Sequence, residues 1–466
     1  MSEFRIEKDS LGEMKVPSSA MYGPQTQRAV ENFPVSGEPM PPAFVHTLGL
    51  IKAAAARVNA DLGTLDREIA KAIEQAANEV AAGRWDAQFP IDVFQTGSGT
   101  SSNMNANEVV AHRASEILGR KVHPNDHVNF GQSSNDVIPT ALHVAAVIEI
   151  ERDLLPSLAR LWQVLDRKAT EFHDVIKSGR THLMDATPIR LGQEFGGYAS
   201  QVQHAIARVK ATLPDLRELA IGGTAVGTGL NTHPEFGRRM AAEIGKLAGT
   251  HFTEASNHFE AQAAQDGACF ASGALNSVAA SLVKIANDVR LMGSGPRCGL
   301  GEVTLPSIQP GSSIMPGKVN PVICESVVQV GAQVTGNHVA VTMGAQWGQL
   351  DLNTMLPVIA RNLLESIRLL AAVSRVFADK ALAGLVANAD TCRDYIEKSP
   401  SMATALNPLI GYDKAAEIAK RSFKARRPVR ELAREMTQLA PAEIDAALDP
   451  ARQTQPGLDL GGGAGG

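Results

Sequence analysis

The hydrophobic positions of this chain recur mostly at helical spacing. Leu154, Leu158, Leu161 and Leu165 fall at i, i+4, i+7 and i+11, which lays them along one helix face. Val278, Leu282, Ile285, Val289 and Met292 repeat that spacing. The pattern predicts one helix that begins near Val137 and continues past Arg167, and another over about 257–292. Further helices are expected over roughly 190–213, 320–345 and 357–382. Upstream, the chain reads as helical from Thr47 to Ala82, with an alanine-rich stretch at Ala53–Ala56 and an interruption near Gly63, and again from Ala106 to Leu118. Residues 1–46, rich in Pro and Gly, read as extended and turn structure around a short helix near Gln25–Glu31. After about residue 390 the periods shorten to helices near 413–424 and 428–438, followed by Pro441–Leu448. Strand signals are few, and no repeat of 20–50 residues is visible.

Helices this long stand out against a mean of about 11–12 residues. They predict a long bundle, and a bundle with exposed apolar faces usually oligomerises. The fold expected is mainly α, in three parts: residues 1–136, a long central bundle over 137–390 and a small helical part over 391–460. The glycine tail 461–466 is expected to be disordered. A chain of 466 residues is ample for a large core.

Composition changes this picture by exclusion. The net charge is −5, so no bulk electrostatic reason exists to bind nucleic acid or an anionic membrane. The N-terminus carries charges at once and has no signal-peptide core, and no unbroken apolar run reaches the length of a membrane helix. Cys269, Cys298, Cys324 and Cys392 are scattered without a Cys-x-x-Cys pair, which argues against zinc or iron–sulfur centres and fits a reducing compartment. The expectation is a soluble cytoplasmic protein with no metal and no cofactor.

Four segments break the apolar rhythm with small polar residues: Thr96–Asn103, Gly131–Asp136, Gly179–His182 and Gly311–Pro321. Each adjoins a predicted long helix. Outward-facing N–H groups at helix starts, with the helix dipole, form a cradle for a carboxylate or phosphate. Any one such loop is more often a plain N-cap than a site. The Gly-Ser-Gly at 97–99 follows no strand and is no dinucleotide fingerprint. The 311–321 loop differs. Two adjacent serines, a Met-Pro-Gly turn, Lys318 and Asn320 make little sense as packing, whereas Gly311 and Gly317 give the freedom a closing loop needs.

Gly311-Ser-Ser-Ile-Met-Pro-Gly-Lys-Val-Asn-Pro321 resembles the signature of the fumarase/aspartase superfamily. Glu7–Gly12, Gly23–Arg28, Phe94–Thr100, Asn103–Asn105, His123–Asp126, Gln132–Asp136, Gly179–Leu183 and Asn407–Tyr412 resemble class II fumarases, so the likeness covers about residues 3–440. It implies a three-domain fold with an N-terminal lyase domain and a twenty-helix core in a homotetramer, whose active sites are each shared between three subunits. It also implies reversible, stereospecific hydration of fumarate to L-malate through an aci-carboxylate, as in the tricarboxylic acid cycle. Aspartate ammonia-lyases are the nearest rivals. Fumarases carry histidine after Thr181 where aspartases typically carry glutamine, and this chain has His182. The Val-Ile pair in Pro321–Glu325 points weakly the other way. A non-catalytic homologue is the rival of a different class.

The resemblance also implies roles. Ser312 would be the general base, activated by neighbouring dipoles, with Ser313 a substrate contact; physics alone leaves the choice between the two serines open. His182, oriented by Glu325, would be the acid/base on the water side. Lys318, Val319 and Asn320 would hold one carboxylate. Ser98, Thr100, Ser133, Ser134, Asn135 and Thr181 would complete the pocket. His123, Pro124, Asn125 and Asp126 resemble a secondary dicarboxylate site, with a simple cap pair as the alternative.

Overall fold

Alanine and glycine set how closely the first helices approach. In a computed structural model that describes residues 3–457, the helices Pro42–Asp61 and Arg67–Ala81 pack side by side. Ala53–Ala56 are all buried, and a Cβ on Gly49 would lie 2.6 Å from the Ala81 backbone nitrogen, so glycine is what permits the contact. Asp66 begins the second helix by accepting from the N–H groups of Glu68 and Ile69.

The chain forms two compact units. The first comprises Met1–Ser157, Ala205–Ala280 and Gln329–Ala372; the second comprises Leu158–His204, Ser281–Val328 and Val373–Gly466. The first opens with a hairpin, Phe4–Asp9 against Gly12–Pro17, tied to the helix Pro24–Asn32 by an Arg28–Asp9 ion pair. The second contains a hairpin, Ile176–Thr181 against Met184–Arg190, and a separate apolar core. That core gathers Ile396, Met402, Leu406, Ile418, Val429, Leu432 and Ile444. The glycine tail lies outside the described residues.

Most predicted helices are present: Leu191–Ala211, Val322–Ala345, Leu356–Val376, Tyr412–Ala425 and Val429–Met436. The helix expected from Val137 starts at Ser134 and reaches Glu171, passing through a π-helical turn at Ile150–Leu154. Pro156 lies just beyond this turn and has no N–H to donate, which favours such a shift of register. Leu154, Leu158, Leu161 and Leu165 are all fully buried. The stretch 257–292 divides into His258–Ala263 and Asp266–Met292. The helix expected from Ala106 begins six residues earlier, at Thr100. The strand pair over 176–190 carries no apolar alternation and is not legible as strands.

Asp266–Met292 is, among the described residues, long and apolar enough to cross a membrane by length and composition, with 44% of its most apolar window buried inside the structure. Its apolar run is interrupted by Ser272, Asn276, Ser277, Ser281 and Lys284.

Candidate active site

In the first unit, two polar loops sit at two helix starts. Gly97 runs so close to Thr354 that a Cβ there would meet its carbonyl oxygen at 1.9 Å, and the Gly97 carbonyl accepts from Leu356 N at 3.0 Å. Gly99, at φ 71°, turns the chain into the helix Thr100–Leu118. This fixes Ser98 beside Thr100, their hydroxyl oxygens 2.7 Å apart. The second loop enters the helix Ser134–Glu149 through a capping box. Ser133 Oγ accepts from Asn135 N, and Asp136 accepts from Ser133 N at 2.9 Å. Asn135 Nδ2 donates to the Ala225 carbonyl at 2.7 Å.

Asn103, buried on the Thr100 helix, joins the loops by donating to Ser134 Oγ at 3.1 Å. Below them Asp136 is wholly buried and also accepts from the Gly222 and Thr224 N–H groups. Burial pushes its carboxyl up, opposed by these N–H groups and by the charge of Lys52.

In the second unit, Thr181 ends a strand and His182 and Leu183 form the two-residue tip of its hairpin, at φ 55° and 61°. Two positive φ values suit the primed turn of a tight hairpin, which ordinarily takes Asn and Gly. His and Leu there are held in an unfavourable backbone region, a pattern that clusters at functional positions. Gly179–His182 thus stands on a hairpin rather than at a helix start, which corrects the cradle expected there. The strand is anchored from beneath. Fully buried Glu302 pairs with Arg180 at 2.7 Å and with Lys177 at 2.9 Å, and Lys177 also pairs with Glu194 at 2.8 Å. Removing the carboxylate would leave Arg180 without its carboxylate partner and Lys177 with Glu194 alone, a loss on the scale of about 3–5 kcal/mol for breaking a buried pair.

The loop 311–321 closes on itself. Gly311 N donates to the Lys318 carbonyl at 2.8 Å, and Asn320 Nδ2 donates to the Gly311 carbonyl at 2.7 Å. Inside this closure Ser312 Oγ accepts from Ile314 N at 3.2 Å and Met315 N at 3.0 Å. Ser313, Lys318 and Val319 face outward, and Glu325 is exposed on the first turn of the next helix. Among the described residues, His182 and Glu325 are both exposed and are not joined by a hydrogen bond or ion pair.

His123 caps a π-helical turn, Pro124–Val128, its Nδ1 accepting from Asn125 N and Asp126 N at 3.2 and 3.0 Å. Asp126 lies 3.2 Å from the same nitrogen. His123, Pro124 and Asn125 border a cavity of about 720 Å³ that Arg28, His112 and Lys121 also line. Among the described residues no cluster of three or more His, Cys, Asp or Glu is placed to hold a metal. Sequence reasoning missed Lys52 and Glu302 altogether and did not assign Asn103 to the pocket. The one available signal was a lysine within the otherwise apolar stretch Leu48–Ala56.

The chain matches two family models, one described as a lyase over residues 12–336 and one described as the fumarase C C-terminus over 402–455. It is 54% identical to a class II fumarate hydratase of Xylella fastidiosa over 99% of this chain and 98% of that one. It is 58% identical to a class II fumarate hydratase of Halobacterium salinarum, over 98% and 99%. The crystal structure of a class II fumarase from Schistosoma mansoni superposes with a TM-score of 0.94 at 43% identity, covering 96% of this chain and 98% of that one. Together with the mainly helical fold, these define a lyase. The chain belongs to the fumarase/aspartase family, in its class II fumarase branch.

Proposed function

We propose that this chain is a fumarate hydratase that interconverts fumarate and L-malate. The observation that carries the reading is Ser312 Oγ, which receives two backbone N–H bonds within a loop closed around it. A serine serves as base only where its alkoxide is stabilised, and hydrogen bonds to the charged form do that. Starting from malate, Ser312 removes the proton on the carbon next to a carboxylate. That carboxylate takes up the electron pair as an aci-carboxylate, held by Lys318 and Asn320 and by backbone N–H groups. His182, oriented by Glu325, protonates the departing hydroxyl; in reverse it activates water. Ser98, Thr100, Ser133, Ser134, Asn135 and Thr181 bind the substrate's carboxylates, with Ser313 and Val319 as further contacts. His123–Asp126 take a second dicarboxylate beside the cavity.

The outward-facing Lys318, His182 and Glu325 call for complementary groups from other copies. The assembly is a homotetramer whose sites each draw on three subunits. All four cysteines are free, which fits the cytoplasm.

The test follows the ultraviolet absorbance of fumarate as it forms from L-malate or, separately, from L-aspartate, with EDTA present. Gain from malate alone is expected. Gain from aspartate alone would make the chain an ammonia-lyase and overturn the role of His182; gain from neither would favour a non-catalytic homologue.

A further inference from the structure

Lys52 lies mid-way along the helix Pro42–Asp61, flanked by Ile51 and Ala53, and is 0% exposed. A lysine so enclosed loses its hydration and persists only where its N–H groups find acceptors. Its Nζ donates to Asn129 Oδ1 and to Gln132 Oε1, each at 2.9 Å. Both acceptors are neutral amides, and among the described residues no carboxylate stands within ion-pair distance of the ammonium. The charge is therefore not there to complete an ion pair, and packing alone would be served as well by methionine or leucine. Burial brings the ammonium down to about 7, against the field of Asp136.

What the ammonium supplies is direction. An Asn or Gln side chain can present either oxygen or nitrogen, whereas lysine offers donors only. Lys52 therefore turns both amide oxygens toward itself. That leaves Asn129 Nδ2 for the Gln132 carbonyl at 3.2 Å, and Gln132 Nε2 for the carbonyls of Val128 and Phe130 at 3.0 and 3.2 Å. The segment is tied onto itself immediately before Ser133–Asn135. Asn129 Oδ1 also accepts from Asn103 Nδ2 at 3.2 Å, and Asn103 holds Ser134 Oγ. An unbroken polar path runs from Lys52 through Asn129 and Asn103 to Ser134.

We infer that Lys52 is a positioning residue for substrate recognition. Through Asn129, Gln132 and Asn103 it sets Ser133–Asn135 against Ser98 and Thr100, and while protonated it places a positive charge behind the carboxylate cradle. This rests on the reading of those residues as carboxylate-binding.

The test is Lys52→Met, which keeps length and loses donors and charge. Kinetics are measured in both directions beside the unsubstituted protein, together with the rise in Tm caused by succinate, a non-reacting dicarboxylate. The expected result is KM raised about tenfold for fumarate and for malate, the scale of one lost hydrogen bond to a charged group, with kcat changed by less. The succinate-induced rise in Tm shrinks accordingly. An unchanged KM with an unchanged succinate shift, whatever the Tm of the free variant, overturns the inference. If Lys52→Met does not fold, Gln132→Met removes one of the two amides and is read the same way. If the unsubstituted protein does not hydrate fumarate, the proposed function falls, while the succinate shift still reads the role of Lys52.

Discussion

The backbone N–H of Met315 points at the hydroxyl oxygen of Ser312 across 3.0 Å, and that of Ile314 approaches the same atom at 3.2 Å. Two fixed donors on one oxygen stabilise its negative form more than its neutral one. Ser312→Ala therefore removes the proposed base and leaves the loop's closure, which is made by Gly311, Lys318 and Asn320, intact. We expect kcat for malate to fall about 10²–10⁴-fold, the usual contribution of a positioned acid or base, with KM within a few-fold and Tm unchanged. Steady-state fumarate formation checks this. A variant retaining most of its kcat would move the base to Ser313.

Gly311 and Gly317 make different demands. A Cβ on Gly311 would meet the Lys318 carbonyl oxygen at 2.5 Å, across the bond that closes the loop. A Cβ on Gly317 meets nothing within 4 Å, although φ is +77° there. Gly311→Ala should open the loop and lower kcat/KM about 10²-fold, as small misplacements of reacting groups do. Gly317→Ala should cost only about 1 kcal/mol of loop strain and a few-fold in activity. Parallel kinetics decide, and equal losses would mean that closure through Gly311 does not matter.

These contrasts mark where the sequence was legible. The leucines of 154–165 announce a helix because one face is wholly buried. The 311–321 loop reads as a candidate site because two adjacent serines, a lysine and an asparagine fall within nine residues and serve no packing purpose. Thr100–Asn105 read as loop because Ser, Thr and Asn are poor residues for helix interiors and favour caps and turns. They are helical because tertiary partners take up their polar groups, as when Asn105 Nδ2 donates to the Gln88 carbonyl at 2.9 Å. The strand Ile176–Thr181 was invisible because its inner residues include Lys177 and Ser178, and what admits Lys177 is Glu302, far along the chain. Lys52 was equally hidden, since its two acceptors are 77 and 80 residues away. His182 and Glu325 are not joined within the described chain, so the pairing proposed for them has no local pattern behind it.

Leu183 offers a test of stored strain. It is exposed and holds φ 61° next to His182, where a Cβ is unfavourable. Leu183→Gly relieves about 1 kcal/mol of left-handed strain against a somewhat smaller entropic cost in the unfolded chain. We expect Tm to stay level or rise slightly. Activity should fall, because the turn no longer holds His182 in one orientation. Thermal melting and malate kinetics on the same preparation read both. A clear drop in Tm would show that the hairpin needs the leucine side chain rather than merely tolerating its backbone.

The buried ammonium of Lys52 makes the last prediction, on stability and pH. Its folded-state pKa is lowered to about 7 from an ordinary 10.5, with burial as the main cause and Asp136 opposing it. Between these values the unfolded chain holds the proton and the folded chain releases it. Stability rises with pH wherever the unfolded state binds more protons. Below about pH 7 both states carry the charge, and its burial is a constant burden on the fold. The unsubstituted protein should therefore gain on Lys52→Met as pH climbs from about 7 toward 10, while the gap between them stays flat from pH 5 to 6.5. Comparing the two proteins cancels the titrations they share, except any shift in Asp136, which would act nearer the acid end. Urea unfolding across this range measures the gap. If it does not change above pH 7, the ammonium keeps its proton in the fold, and its charge then stands permanently behind the Ser133–Asn135 loop.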